Sequence, residues 1–171
     1  MKLKFILIAL AGLVSGKSVA QSANANPSLS IGLEVGFPVS DNFSSFFNTG
    51  IGGSAKLAIP VVTNGSVTLS AGYMSFSGQK FLGTRFPSLT LLPFKAGFRY
   101  KSPSNFYLEP QLGITSIKVK GGNSSETSFT VAGNLGYIIN NIVDLSARYE
   151  AMTKGGNRSF IGLRGAFIIP L

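Results

Sequence analysis

From Leu29 onward, apolar and polar residues alternate with a period of two, in segments separated by Gly, Asn, Ser and Pro. That is the repeat of a β-strand, whose successive side chains point to opposite faces. The pattern predicts eight strands, near 29–39, 50–61, 66–76, 91–101, 105–118, 127–139, 142–152 and 159–170. In 142–152, Val143, Leu145, Ala147, Tyr149 and Ala151 share one face, and Asp144, Ser146, Arg148 and Glu150 the other. In 91–101, Leu92, Phe94, Ala96, Phe98 and Tyr100 oppose Pro93, Lys95, Gly97 and Arg99. No stretch with the period of a helix competes.

The apolar faces carry no charge. The opposite faces hold Glu34, Lys56, Lys95, Arg99, Glu109, Asp144, Arg148, Glu150 and Arg164 among mostly Gly, Ser, Ala and Thr. Alternation alone does not say which face meets solvent, because a soluble ligand-binding barrel also alternates, with its apolar face inward. Three features decide it. The interior of an eight-stranded barrel is narrow, and small polar residues suit it better than a face crowded with aromatic rings. Four acids beside five bases suit a buried network of paired charges. The aromatics fall into two groups near opposite strand ends: Phe98, Tyr100, Phe106, Tyr137 and Phe167 at one, and Phe37, Tyr73, Phe129 and Tyr149 at the other. Two aromatic girdles flanking an apolar band mark membrane barrels. The apolar face is therefore expected to meet lipid. In lipid every backbone polar group needs a partner, so the sheet must close. The expected fold is all-β, an eight-stranded antiparallel up-and-down transmembrane β-barrel.

The links alternate in length. Thr63-Asn64-Gly65, Ser102-Pro103-Ser104 and Asn140-Asn141 are tight turns. Asp41–Asn48, Ser77–Leu89, Lys120–Glu126 and Thr153–Arg158 are longer. Outer-membrane barrels keep short turns on the periplasmic side and long loops outside, which places both termini in the periplasm. The long loops offer Lys80, Arg85, Lys120, Lys154 and Arg158 as contacts for lipopolysaccharide phosphates, since basic side chains pair with phosphate oxygens. An ordinary solvated surface is the plainer reading of the same cations. Loop two, with Phe81, Leu82, Phe86 and Pro87, is apolar enough to fold over the barrel mouth or contact a partner; a strand extension beyond the membrane is the alternative.

The first residues read as an export signal. Lys2 and Lys4 precede a ten-residue apolar run, Phe5 to Val14, too short to span a bilayer. Ser18-Val19-Ala20 is a small-x-small cleavage site ahead of Gln21. The expected organisation is a signal peptide over 1–20, a short linker over 21–27 and the barrel over 28–171. Composition then removes most chemistry. The chain of 171 residues has no Cys and no His, so a thiolate nucleophile, a disulfide framework and the commonest general base are absent. Charged residues are 12% of the chain, about half the soluble average of ~25%, as a lipid-facing surface requires.

Taken together, the signal peptide, Pro93-Phe94-Lys95-Ala96-Gly97-Phe98-Arg99-Tyr100 and Phe106-Tyr107-Leu108-Glu109-Pro110-Gln111-Leu112-Gly113 resemble the small eight-stranded outer-membrane barrels. The likeness is to the outer membrane protein A membrane domain and outer membrane protein X type, and most to the outer membrane protein β-barrel domain proteins of Bacteroidota. It covers residues 28–171 and is architectural. The family's last strand usually ends in an aromatic, which the assembly machinery reads; here it ends Phe167-Ile168-Ile169-Pro170-Leu171. No peptidoglycan-binding domain is expected after Leu171, so no wall-anchoring role is implied. The resemblance implies a porin-like, non-catalytic protein of the Gram-negative cell envelope, in the outer membrane, with a structural, surface-interaction or limited-permeability role. Its partners would be outer-membrane lipid, lipopolysaccharide and the barrel-assembly machinery, with no nucleic acid, cofactor or metal, as a monomer. Two other readings stand beside it: a soluble periplasmic lipocalin-like ligand-binding barrel, and a lipid A-modifying enzyme, whose known relatives use a rim histidine and serine.

Overall fold

The computed structural model describes residues 26–81, 84–121, 125–153 and 158–171. The expected signal peptide, most of the linker and Lys154 lie outside them, as do the side chains of Lys80 and Arg85. The barrel strands are β1 (Ser28–Pro38), β2 (Phe47–Val62), β3 (Gly65–Gly78), β6 (Leu89–Lys101), β7 (Phe106–Val119), β8 (Ser125–Ile139), β9 (Val143–Met152) and β10 (Arg158–Pro170). A four-residue helix, α1 (Asp41–Ser44), follows β1. A two-residue ladder, β4 (Lys80–Phe81) with β5 (Thr84–Arg85), lies in loop two.

Each strand pairs antiparallel with its neighbours, and β1 closes the ring by pairing with β10. The register fixes the barrel's dimensions. Starting at Pro38 and stepping sideways, the partners are Phe160, Glu150, Ala132, Gln111, Gly97, Thr68, Ala58 and then Ser28. One circuit thus returns to β1 ten residues from where it began. A stagger of that size over eight strands tilts them by roughly 35–45° and leaves a lumen that side chains can fill.

The tight turns sit where their residue types allow. Asn140 and Asn141 both adopt left-handed backbone, φ 49° and 56°, and the Ile142 amide donates to the Ile139 carbonyl at 2.9 Å. Asn tolerates that conformation better than most side chains.

The apolar face points outward on every strand. Leu33, Ile51, Phe94, Leu108, Leu112, Leu135 and Leu163 are among the large apolar side chains exposed there, and all nine residues read as aromatic girdles lie on this outer face. This excludes the soluble ligand-binding alternative, which needs the apolar face inside. Exposed apolar residues in a closed ring are tolerated only in a non-aqueous surrounding.

Candidate functional site: the barrel interior and its mouths

The nine charges of the polar face all lie inside the barrel, each 9% exposed or less. Parity brings them there; the stagger decides who meets whom. Lys56 Nζ lies 3.1 Å from Glu109. Glu109 also takes Arg99 Nε at 2.7 Å, and Arg99 Nη2 reaches Asp144 at 3.3 Å. Asp144 takes Arg164 Nη1 at 3.2 Å, and Arg164 Nε lies 3.5 Å from Glu34. Glu34 takes Arg148 Nη2 at 2.9 Å, Arg148 Nε lies 3.0 Å from Glu150, and Glu150 pairs with Lys95. The result is one unbranched line of alternating sign. It runs Lys56, Glu109, Arg99, Asp144, Arg164, Glu34, Arg148, Glu150, Lys95, with a lysine at each end and every carboxylate between two cations. That arrangement meets the condition under which buried charges are tolerated.

Neutral groups complete it. Tyr107 donates its hydroxyl to Asp144 at 2.6 Å, and the Arg99 guanidinium stacks 4.1 Å from its ring centroid. The ring has room because its cross-strand partner is Gly136; a methyl group there would land on the ring. Thr68 donates to Glu109 at 3.1 Å, and Arg164 donates to Ser54 Oγ and Ser30 Oγ at 2.9 and 3.0 Å. A cavity of about 10 Å³ remains beside Glu34, Lys95, Gln111 and Arg148, space for one water at most. Gln111 Oε1 and Glu150 Oε1 are buried without a hydrogen bond.

The long-loop end of the lumen differs from the polar interior expected over its whole length. Met74, Phe76, Leu91, Ile117, Met152 and Phe160 point inward there and pack with Leu89 into an apolar layer. Phe43 of α1 enters from loop one and is fully buried, with its ring centroid 4.9 Å from Phe76 and 5.4 Å from Phe47. Phe76 fits because Gly50 lies beside it; a Cβ at Gly50 would come within 2.7 Å of the ring. Loop one is therefore not an ordinary solvated loop. The Ser159 amide holds it by donating to Ser40 Oγ at 3.0 Å, and Gln79 Nε2 by donating to the Ser44 carbonyl at 2.7 Å. Arg148 joins the two layers, its guanidinium 5.5 Å from the Phe160 ring centroid.

No protein-family model and no curated protein matches the chain. Solved structures do match it in shape. Ail, the attachment invasion locus protein of Yersinia pestis, in complex with the heparin analogue sucrose octasulfate, has a TM-score of 0.61 at 15% identity, over 85% of this chain and 99% of that one. The N-terminal β-barrel domain of Pseudomonas aeruginosa OprF gives 0.58 at 14% identity, over 85% and 98%. The outer membrane protein OprG from Pseudomonas aeruginosa gives 0.52 at 10% identity, over 88% and 99%. The fold is that of a small outer-membrane β-barrel.

Loop two shows the strand extension that is the alternative reading of its sequence. Its stem continues β3 through the β4–β5 ladder, and the Phe86 amide donates to the Gln79 carbonyl at 3.0 Å. It also leans on loop one, where Phe46 and Phe86 meet edge to face at 5.4 Å, both exposed. Of the five loop cations, Arg158 pairs with Glu126 at 3.5 Å and Lys120 is exposed. Among the described residues, no group of three or more His, Cys, Asp or Glu is placed to hold a metal.

Proposed function

We propose that this chain is a closed outer-membrane barrel whose work is done at its surface, as a structural and surface-interaction protein and not as a pore or an enzyme. The observation that carries the reading is the filled lumen. The line of nine charges crosses the lumen, with a cavity of about 10 Å³ beside Glu34, Lys95 and Arg148, and an apolar layer stoppered by Phe43 lies above it. A solute would have to break several buried ion pairs, each strongly coupled in a low-dielectric interior. The same line supports a non-catalytic role, because all four interior carboxylates are committed to two cations each.

On this reading the protein is exported by a signal peptide cleaved after Ala20 and inserted by the barrel-assembly machinery. It stands in the outer membrane as a monomer among the small Bacteroidota-type barrels, with both termini in the periplasm. The long loops face outward, where Lys80, Arg85, Lys120, Lys154 and Arg158 contact lipopolysaccharide phosphates beside the exposed Phe46–Phe86 pair. The test is a planar-bilayer recording on the folded protein, alongside gels of the outer-membrane fraction with and without boiling. The expected result is a heat-shifting membrane band and no conductance steps. Steps of stable, porin-like size refute the closed-lumen reading, and a soluble unshifted band refutes the membrane reading.

A further inference from the structure

The two mouths of the barrel are not alike. The long-loop mouth is stoppered by the apolar layer. The short-turn mouth opens into a vestibule of about 410 Å³ inside the strands, where Arg99, Lys101, Ser28, Ser66, Asn64 and Asn141 stand among apolar side chains such as Val62, Ile138 and Ile168. Both cations belong to the inward face of β6, two residues apart.

Three observations give this vestibule a chemistry. First, the buried network holds five cations and four carboxylates, so the lumen carries an excess of one positive charge. Second, Arg99 is 7% exposed and uses Nε and Nη2 on Glu109 and Asp144; among the described residues Nη1 makes no hydrogen bond, and the side chain lines the vestibule. Third, Lys101 has no carboxylate partner among the described residues, and it lines the same space. The anions nearest Arg99, Glu109 and Asp144, are each shared with a second cation, Lys56 and Arg164 respectively. Hydroxyls and amides of the rim supply neutral hydrogen-bonding groups around the two cations.

We propose that the short-turn vestibule is a binding site for a small oxyanion, a phosphate group held between Arg99 Nη1 and the Lys101 ammonium. A guanidinium N–H and an ammonium are the donors that recognise phosphate oxygens. Enclosure by the strands, with Arg99 7% exposed, lowers the effective dielectric and strengthens such contacts relative to those of an exposed lysine. The volume exceeds that of an inorganic ion, so a phosphate on a small organic solute also fits.

The test is a titration of the full barrel, folded in detergent micelles, with inorganic phosphate at constant ionic strength, followed by backbone amide resonances. The expected result is saturable, one-to-one movement of Asn64, Ser66, Lys101 and Asn141. K101Q weakens it tenfold or more, and K120Q, at the opposite mouth, leaves it unchanged. R99K, which keeps the charge but loses Nη1, also weakens it. K101Q lies outside the ion-pair line and keeps the test valid if R99K fails to fold, as judged by resistance to cold SDS. A second titration with glycerol phosphate separates the sources: tighter binding assigns the site to an organic phosphate, equal binding to the free ion. Movement that never saturates, or that is the same in K101Q, overturns the proposal.

Discussion

The surplus of one cation inside the barrel makes removing an acid and removing a base unequal. In E109Q, Lys56 loses the one carboxylate it touches and Arg99 keeps only Asp144. The lumen's excess rises from one positive charge to two, and Lys56 is left buried without a partner. Breaking a buried pair from one side costs about 3–5 kcal/mol. In K95M the surplus disappears, Glu150 keeps Arg148, and no charge is stranded. The expected cost there is below about 1 kcal/mol, since replacing a buried ion by an apolar side chain of similar volume is often neutral or favourable. With a urea slope of about 2 kcal/mol per molar, E109Q should lower the midpoint by roughly 1.5–2.5 M, and K95M should hardly move it. The chain has no Trp, so the readout is the mobility of the folded form on cold SDS gels after equilibration in urea with lipid vesicles. The double variant E109Q/K56M removes the stranded ammonium and should recover much of the loss, a coupling that a double-mutant cycle measures. Equal midpoints for E109Q and K95M would refute the alternating-line account, because the two sites would then respond only to loss of a contact.

Other consequences follow from the same packing. R148A takes a guanidinium from both Glu34 and Glu150 but leaves them Arg164 and Lys95, so it should cost about 2–3 kcal/mol in the same urea assay, less than E109Q. G136A drives a methyl group into the Tyr107 ring and should cost about 1–3 kcal/mol, while G133A, on the outer face of β8 with open space beside it, leaves the Tyr107 layer untouched; unfolding of both variants checks it. L163R places a charge on the outer face midway along β10 and should cost about 2–4 kcal/mol in lipid vesicles, where a soluble barrel would tolerate it. F43A empties the stopper and frees loop one: protease cleavage within 40–46 should appear, with no conductance gained, because the charge line below still fills the lumen.

Much of this architecture is legible in the amino-acid sequence. Strand edges from period-two alternation agree with the observed ones to within about three residues, and an error in an edge leaves the parity of the side chains, and so the face each one joins, unchanged. The same parity places Glu34 and Arg148 on one face although they lie 114 residues apart. It does not say that they touch. That depends on the ten-residue stagger, which is a property of eight strands together and has no local signature. The apolar layer is not legible in the sequence for a different reason. Met74, Phe76, Leu91, Ile117, Met152 and Phe160 sit on the face otherwise occupied by charges, so they read as exceptions to a polar pattern. Their signal was positional: all fall at the strand ends nearest the long loops, where Tyr73-Met74-Ser75-Phe76 and Leu91-Leu92 turn apolar on both faces. Phe43 gave no periodic signal, because a single buried loop residue has none.

The two layers together give the barrel a direction. At the long-loop end the stopper excludes water from Arg148, whose guanidinium stacks over Phe160, and a dry neighbour strengthens the ion pairs beneath it. At the short-turn end no such stopper intervenes, and Arg99 stands at the edge of the open vestibule with Nη1 free of hydrogen bonds among the described residues. A symmetric plug would need only paired charges, and a pore would need a wide polar lumen; this interior is neither. Its dry end anchors loop one from within, through Phe43, and so presents the outer rim as a fixed surface. Its open end places Arg99 and Lys101 toward the opposite mouth. Under the two proposals, a ligand at the long-loop rim and one in the vestibule would be separated by the charge line and the apolar layer, and substitutions at one mouth should leave the other unchanged.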